Sequence, residues 1–179
     1  SVEGGTDKVT VRGSASYLEQ TGVVKTSDYT RLNIALSGKA EITKWLSFDS
    51  NMSYTSTTNT KTTKGSGGPL YRAVRWPMTD NMANVFNADG VTMRLPEIYT
   101  DTDLLNPLYA LYKNRNYDET DRMMINVSSN ATPTKNTFVR ATMGWDTGIG
   151  NYEYHTHPYY ANLTGSSYGV GSYNLSRNT

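Results

Sequence analysis

Between Tyr29 and Ile42 the side chains sort by parity. Leu32, Ile34, Leu36, Gly38, Ala40 and Ile42 fall on one side, and Arg31, Asn33, Ala35, Ser37, Lys39 and Glu41 on the other. Strand side chains alternate between two faces, so this segment predicts a strand with one apolar and one wet, charged face. The pattern recurs. Leu46, Phe48, Met52 and Tyr54 oppose Ser47, Asp49, Asn51 and Ser53; Met123, Ile125 and Val127 oppose Arg122 and Asn126; Val139, Ala141, Met143 and Trp145 oppose Arg140 and Thr142. Five strands are predicted, at about 8–18, 29–43, 46–56, 122–131 and 136–146. Their wet faces collect Arg12, Arg31, Lys39, Glu41, Asp49, Arg122, Arg140 and Asp146.

Alternation alone says only that a sheet is half-buried. The connections add direction. They run short at Gly4–Asp7, longer at Glu19–Asp28, short at Lys44–Trp45, very long over about 57–119, short at Thr132–Lys135, and long again over 147–179. Alternating short turns and long loops mark an outer-membrane barrel, whose periplasmic turns are tight and whose extracellular loops are extended. About 9–11 tilted residues cross a bilayer, and the predicted strands are long enough to do so. On this reading the charged faces point into a lumen, because Arg or Lys facing lipid at mid-bilayer costs about 2–4 kcal/mol. Lumenal charges could pair with a plug or guide substrate. Tyr17, Tyr29, Tyr54 and Trp145 at the long-loop ends, with Trp45 and Phe48 near a short turn, are expected to form two interfacial aromatic belts.

The predicted strands cannot close a barrel, since the smallest bacterial barrels have about 8 and an open edge in lipid leaves backbone groups unpaired. The expected fold is therefore all-β: an antiparallel transmembrane β-barrel segment of about five strands, with long extracellular loops. Ser1–Glu3 reads as the end of a preceding strand, and Ser172–Thr179 as loop-like sequence. Two short helices are expected inside the 57–119 loop. One runs from Pro69 to Trp76; the other is capped by Asn106 and runs from Pro107 to Lys113.

Composition fits this frame. Mean hydropathy is −0.59, low for a chain with a conventional core. The chain has 14 Tyr among 179 residues, which favours β structure. No apolar run is long enough for a transmembrane helix. With no cysteine, disulfides, thiolate metal sites and cysteine nucleophiles are excluded. A net charge of +1 implies no nucleic-acid partner.

Several stretches are similar to the SusC/RagA family of TonB-dependent outer-membrane transporters. These are Gly4-Gly5-Thr6, Ser16-Tyr17-Leu18-Glu19-Gln20, Ser27-Asp28-Tyr29-Thr30-Arg31, Thr43-Lys44-Trp45-Leu46 and Asn51-Met52-Ser53-Tyr54, followed by Asn106–Leu108 and the strands around Thr132–Asn136. The tandem order carries the resemblance, which reaches to about Asp146. It implies a barrel of about 22 strands with an internal plug, a SusD-like lipoprotein over the outer mouth, and import of oligosaccharides or peptides energised by TonB. Neither a plug domain nor a TonB box is recognisable in this sequence. The rival expectation is a secreted or surface β-sandwich, an adhesin-type binding domain.

Candidate chemistry is sparse. His155-Thr156-His157 lacks a third ligand at a telling spacing, so no metal site is expected. Asp101-Thr102-Asp103 begins like a calcium loop, but Asn106 and Tyr112 stand where Gly and Glu are needed. No Ser/His/Asp grouping or phosphate loop occurs, so neither an enzyme nor a cofactor is expected. Asn-x-Ser/Thr sequences at Asn51, Asn126, Asn130 and Asn162 reflect composition. The expected substrate- or partner-binding residues are Tyr71, Arg72, Arg75, Trp76, Tyr109, Tyr112, Arg115 and Tyr117 in the long loop. Tyr152, Tyr154, Tyr159, Tyr160 and Tyr168 in the last loop are further aromatic candidates. Such clusters suit sugar rings, a protein interface or loop-on-loop packing.

Overall fold

Every strand pairs with its neighbour in sequence. In a computed structural model, seven antiparallel strands form one sheet in the order β1 to β7. They are β1 (Val2–Gly5), β2 (Val9–Thr21), β3 (Asp28–Thr43), β4 (Leu46–Lys61), β5 (Arg115–Thr134), β6 (Thr137–His155) and β7 (Val170–Asn178). The structure describes residues 1–65, 68–95 and 105–157, and the backbone of 170–178. Asp101–Asp103, Tyr159, Tyr160, Asn162 and Tyr168 lie outside the described residues. The sheet is open, and among the described residues no second sheet covers either face. A β-sandwich is therefore not the architecture.

The strand count and several ends differ from the sequence expectation. The strand end expected at Ser1–Glu3 is present as β1, paired with β2 and extended through Gly5, whereas the 147–179 stretch read as loop holds the end of β6 and all of β7. β4 runs past Ser56 to Lys61, and β5 begins at Arg115 instead of 122. The cause is physical. Where both faces are polar the period-2 signal vanishes, yet the ladder continues and Thr, Tyr and Asn can occupy it. Asn59 pairs with Asp118, and Tyr117 with Glu153.

Tight turns lie at one end of the sheet. At β1–β2, Thr6 N–H donates to the Val9 carbonyl at 2.6 Å. A Cβ on Gly5 would stand 2.2 Å from the Val9 carbonyl oxygen, so only glycine fits that approach. β3–β4 and β5–β6 are joined by two residues each, Lys44-Trp45 and Lys135-Asn136, with register shifts beside both turns. At the opposite end the 62–114 excursion carries both expected helices, α1 (Pro69–Arg75) and α2 (Pro107–Lys113). Pro at the first turn starts each helix, and Asn106 caps α2 by accepting from Leu108 N–H at 2.9 Å and Tyr109 N–H at 3.2 Å.

The buried apolar residues lie in this excursion and not on the sheet. Val85, Met93, Leu105 and Tyr109 form a core edged by Phe86, Leu95 and Leu108. A bridge between Phe86 and Met93 closes a small hairpin. Asp89 holds its tip, accepting from Val91 N–H and Thr92 N–H at 2.9 Å each and from the Thr92 hydroxyl. These bonds, the hydroxyl first, lower the Asp89 pKa.

Candidate functional site

The register joins the strand faces into two continuous surfaces. On one, six successive rows run upward from the tight turns. Leu46, Ala131 and Val139 share the first row; Ala40, Phe48 and Ala141 the second; Val11, Val127 and Met143 the third. Leu36, Met52, Ile125 and Trp145 share the fourth; Ile34, Tyr54 and Met123 the fifth; Tyr17, Leu32, Asp121 and Ile149 the sixth. No charged side chain interrupts the first five rows in β2 to β6. The large residues there stay exposed; Trp145 keeps 51% of its surface and Met143 77%. An apolar surface of this extent, uncovered, marks contact with a partner or a membrane.

The opposite face holds all eight expected wet-face charges. Arg12 pairs with Glu3 and Ser37, Lys39 with Thr10 and Asp49, and Arg140 with Asn130. Arg122 grips Asp146 with Nε at 2.9 Å from Oδ1 and Nη2 on Oδ2, a bidentate pair. Asn130 Nδ2 donates to Asp49 at 2.6 Å, and Lys39 contacts Glu41 at 3.1 Å. Arg31 Nε donates to Asn33, whose amide reaches Ser16 and whose oxygen accepts from Thr55. A shallow recess on this face is lined by Glu3, Arg12, Lys39, Asp49 and Arg140 among others.

The aromatic expectations divide. Tyr17, Phe48, Tyr54 and Trp145 lie on the apolar face, Tyr54 donating to Asp121 at 2.8 Å. Trp45 sits in the β3–β4 turn, its carbonyl accepting from Thr132 N–H at 2.7 Å. Tyr29 is a correction. It pairs with Gln20 and Asn59 on the charged face, because it stands an even number of residues from Arg31. It cannot belong to the same belt as the others.

Of the eight loop residues expected at a binding surface, two are interior. Trp76 is 8% exposed, its Nε1 donating to Asp80 at 3.1 Å. Tyr109 is 0% exposed; its hydroxyl donates to the Val91 carbonyl at 3.1 Å and lies 2.9 Å from His157 Nδ1. Both hold the loop together: a large ring gains most by burial when its polar handle finds a partner. Tyr71 is exposed, with the Arg75 guanidinium 5.4 Å from its ring centroid, and Arg72 lies on the same short helix. Tyr112, Arg115 and Tyr117 remain accessible at the junction of loop and sheet. They line a recess of about 400 Å³ with Thr26, Asp28 and Asn114.

Sequence reasoning missed the polar frame of the loop. Arg94 spans Asp80, with Nη2 at 2.9 and 2.7 Å from the two carboxylate oxygens, and donates to the Asn81 and Asn84 carbonyls. Asn106 also donates to the Met82 carbonyl at 3.2 Å. His157 N–H donates to Asn114 at 3.0 Å, so β6 is pinned to the end of α2. Burial, then Lys113, then His155 lower the His157 pKa. Nothing local marks Asp80 and Arg94 as partners, since no regular spacing relates them. Among the described residues no group of three acidic, His or Cys side chains could hold a metal.

Neither a family model nor a curated protein matches this chain. Among solved structures it is similar to a chain of the RagAB peptide importer in the "closed-closed" state. The TM-score is 0.66 at 15% identity, over 98% of this chain and 19% of that one. This chain thus spans about one fifth of that protein's length. At this identity the likeness is one of fold.

Proposed function

We propose that the chain is an arc of the wall of an outer-membrane importer, with its apolar face toward lipid and its charged face toward the lumen. The uncharged, exposed apolar surface carries this reading. Five row steps of about 6.8 Å span about 34 Å along the strands, and a tilt of about 40° leaves about 26 Å, the height of an outer-membrane barrel's apolar band. Asp121 then stands at the upper border of the band. The strands continue above it toward the 62–114 loop, which is the extracellular side on this reading.

The likeness in fold to a peptide importer supports the finer assignment. The chain would belong to a SusC-like, TonB-dependent transporter of about 22 strands that takes up oligosaccharides or peptides with a SusD-like lipoprotein. Its plug and TonB contact would lie elsewhere in the protein. Arg12, Arg31, Lys39, Glu41, Asp49, Arg122, Arg140 and Asp146 would line the lumen and face that plug.

The test is assembly of the full-length protein. Ile34→Arg or Leu36→Arg is expected to abolish recovery of heat-modifiable barrel from the outer-membrane fraction, while Ser37→Arg, on the other face, is tolerated. Equal recovery of all three would overturn the membrane reading.

A further inference from the structure

Three rows above Asp121, still on the apolar-face side, the surface changes sign. Arg115 stands opposite His155, and Tyr117 opposite Glu153. Lys113 and Tyr112, from the last turn of α2, complete a recess of about 560 Å³ lined by these six residues. Among the described residues the side chains of Arg115, His155 and Glu153 have no hydrogen-bond or ion-pair partner, and all three residues are exposed. Lys113 lies over the Phe86 ring, 5.5 Å from its centroid. A cationic, aromatic-lined recess is thus left without an internal counter-ion except Glu153.

We propose that this recess binds the anionic oligosaccharide headgroup of an outer-leaflet glycolipid. The inference rests on the membrane reading above and names what the outer rim of the wall touches. Position decides the class of ligand. Three row steps at the same tilt place Arg115 and His155 about 16 Å above the apolar band, whereas an ordinary headgroup layer is only about 5–7 Å deep. Asp121 in the border row, with Glu119, Glu19, Asp28 and Glu153 in the two rows above it, repels phosphate at that depth. Only a headgroup that projects beyond the phospholipid layer reaches the cations. The chemistry matches a phosphorylated or acidic sugar. Arg115 and Lys113 take the anion, His155 offers a ring N–H to it, the faces of Tyr112 and Tyr117 meet sugar rings, and Glu153 accepts from their hydroxyls.

The experiment uses the full-length protein in detergent, titrated with lipopolysaccharide in the same micelles. Arg115→Glu combined with His155→Glu is expected to weaken binding at least tenfold, and Arg115→Lys to leave it within about threefold. Removing phosphate from the lipopolysaccharide should reproduce the loss, and its deacylated, soluble saccharide should bind at least tenfold more weakly than the intact lipid. A change of less than twofold in the double variant overturns the proposal. So does equal binding of the soluble saccharide, which would mark a site for a free ligand. Retained lipopolysaccharide with loss of a co-purifying lipoprotein would instead assign the rim to a protein partner. Wild-type protein absent from the outer-membrane fraction would be a failure of the membrane reading itself, recognisable before any titration.

Discussion

Tyr109 in α2 is fully buried, while Trp145 in β6, a larger ring, keeps half its surface exposed. The two mark opposite regimes in one chain. The 62–114 loop behaves like a small soluble protein. It gathers Val85, Met93, Leu105 and Tyr109 away from solvent and satisfies its polar groups internally through Asp80, Arg94 and Asn106. The sheet does the reverse, displaying Leu36, Met52, Val127 and Met143 on an open face and storing its hydrogen bonds in the ladders and the charged side. Burial within the chain stabilises the loop, whereas the wall depends on what lies against it. Low mean hydropathy is compatible with both, because the sheet places its few apolar residues by parity and the loop gathers its few into one small core.

The comparison can be broken at several points. The largest effect is expected in the loop core: Tyr109→Ala should cost about 3–5 kcal/mol locally. Hydrogen exchange in the full-length protein should rise over 85–94 and stay unchanged along the β3–β4 ladder. Protection lost equally in both regions would mean that the loop is not a unit of its own. Next comes the wall. Val127→Lys, in the middle of the apolar band, should lower stability in lipid vesicles by about 2–4 kcal/mol, while Asn126→Lys on the other face should change it little. Matching losses at the two neighbours would erase the distinction between faces. Arg94→Ala leaves Asp80 partly buried without its cation and should cost about 1–3 kcal/mol. Faster proteolysis confined to 81–93 would report it, and unaltered cleavage would show that the frame is dispensable.

The smallest effect is a pH dependence. The folded His157 pKa lies below its ordinary value near 6.5. When the loop opens and releases its contacts with His157, that imidazole therefore binds more protons below that pH, and stability falls as pH drops through the window from about 6.5 to the depressed value. The loop should open slightly more readily at pH 5.5 than at pH 7.5, and His157→Phe should remove the difference. A pH response that persists in that variant would assign the titration to another group.

Much of the wall was legible in the sequence because parity is a local, one-dimensional signal. Leu32 to Ala40 and their partners fell on the correct faces, and the Pro-led starts of both helices were readable. The departures have separate causes. Tyr29 was grouped by its aromatic character when its spacing from Arg31 put it on the charged side. Trp76 and Tyr109 looked like binding aromatics because a loop's own core has no periodicity to announce it. The upper strand ends were missed because alternation fades where both faces are polar. The rim recess was invisible for a different reason. Arg115 and His155 are far apart in sequence and meet only through the β5–β6 register.

The loop's internal bonds also imply an order of events. Asp80 to Arg94, Asn87 to Thr92, and Met82 to Asn106 span 14, 5 and 24 positions, all within the excursion. Structures built from near neighbours form quickly, whereas the β4–β5 ladder must join Lys61 to Asn116 across the whole excursion. If the loop condenses first, its helices and hairpin shorten the effective tether between those strands, which lessens the entropy lost in closing it. The ornament on the outside would then act as a jig. It would bring two distant edges side by side at one end, and their register would zip downward from there toward the turns.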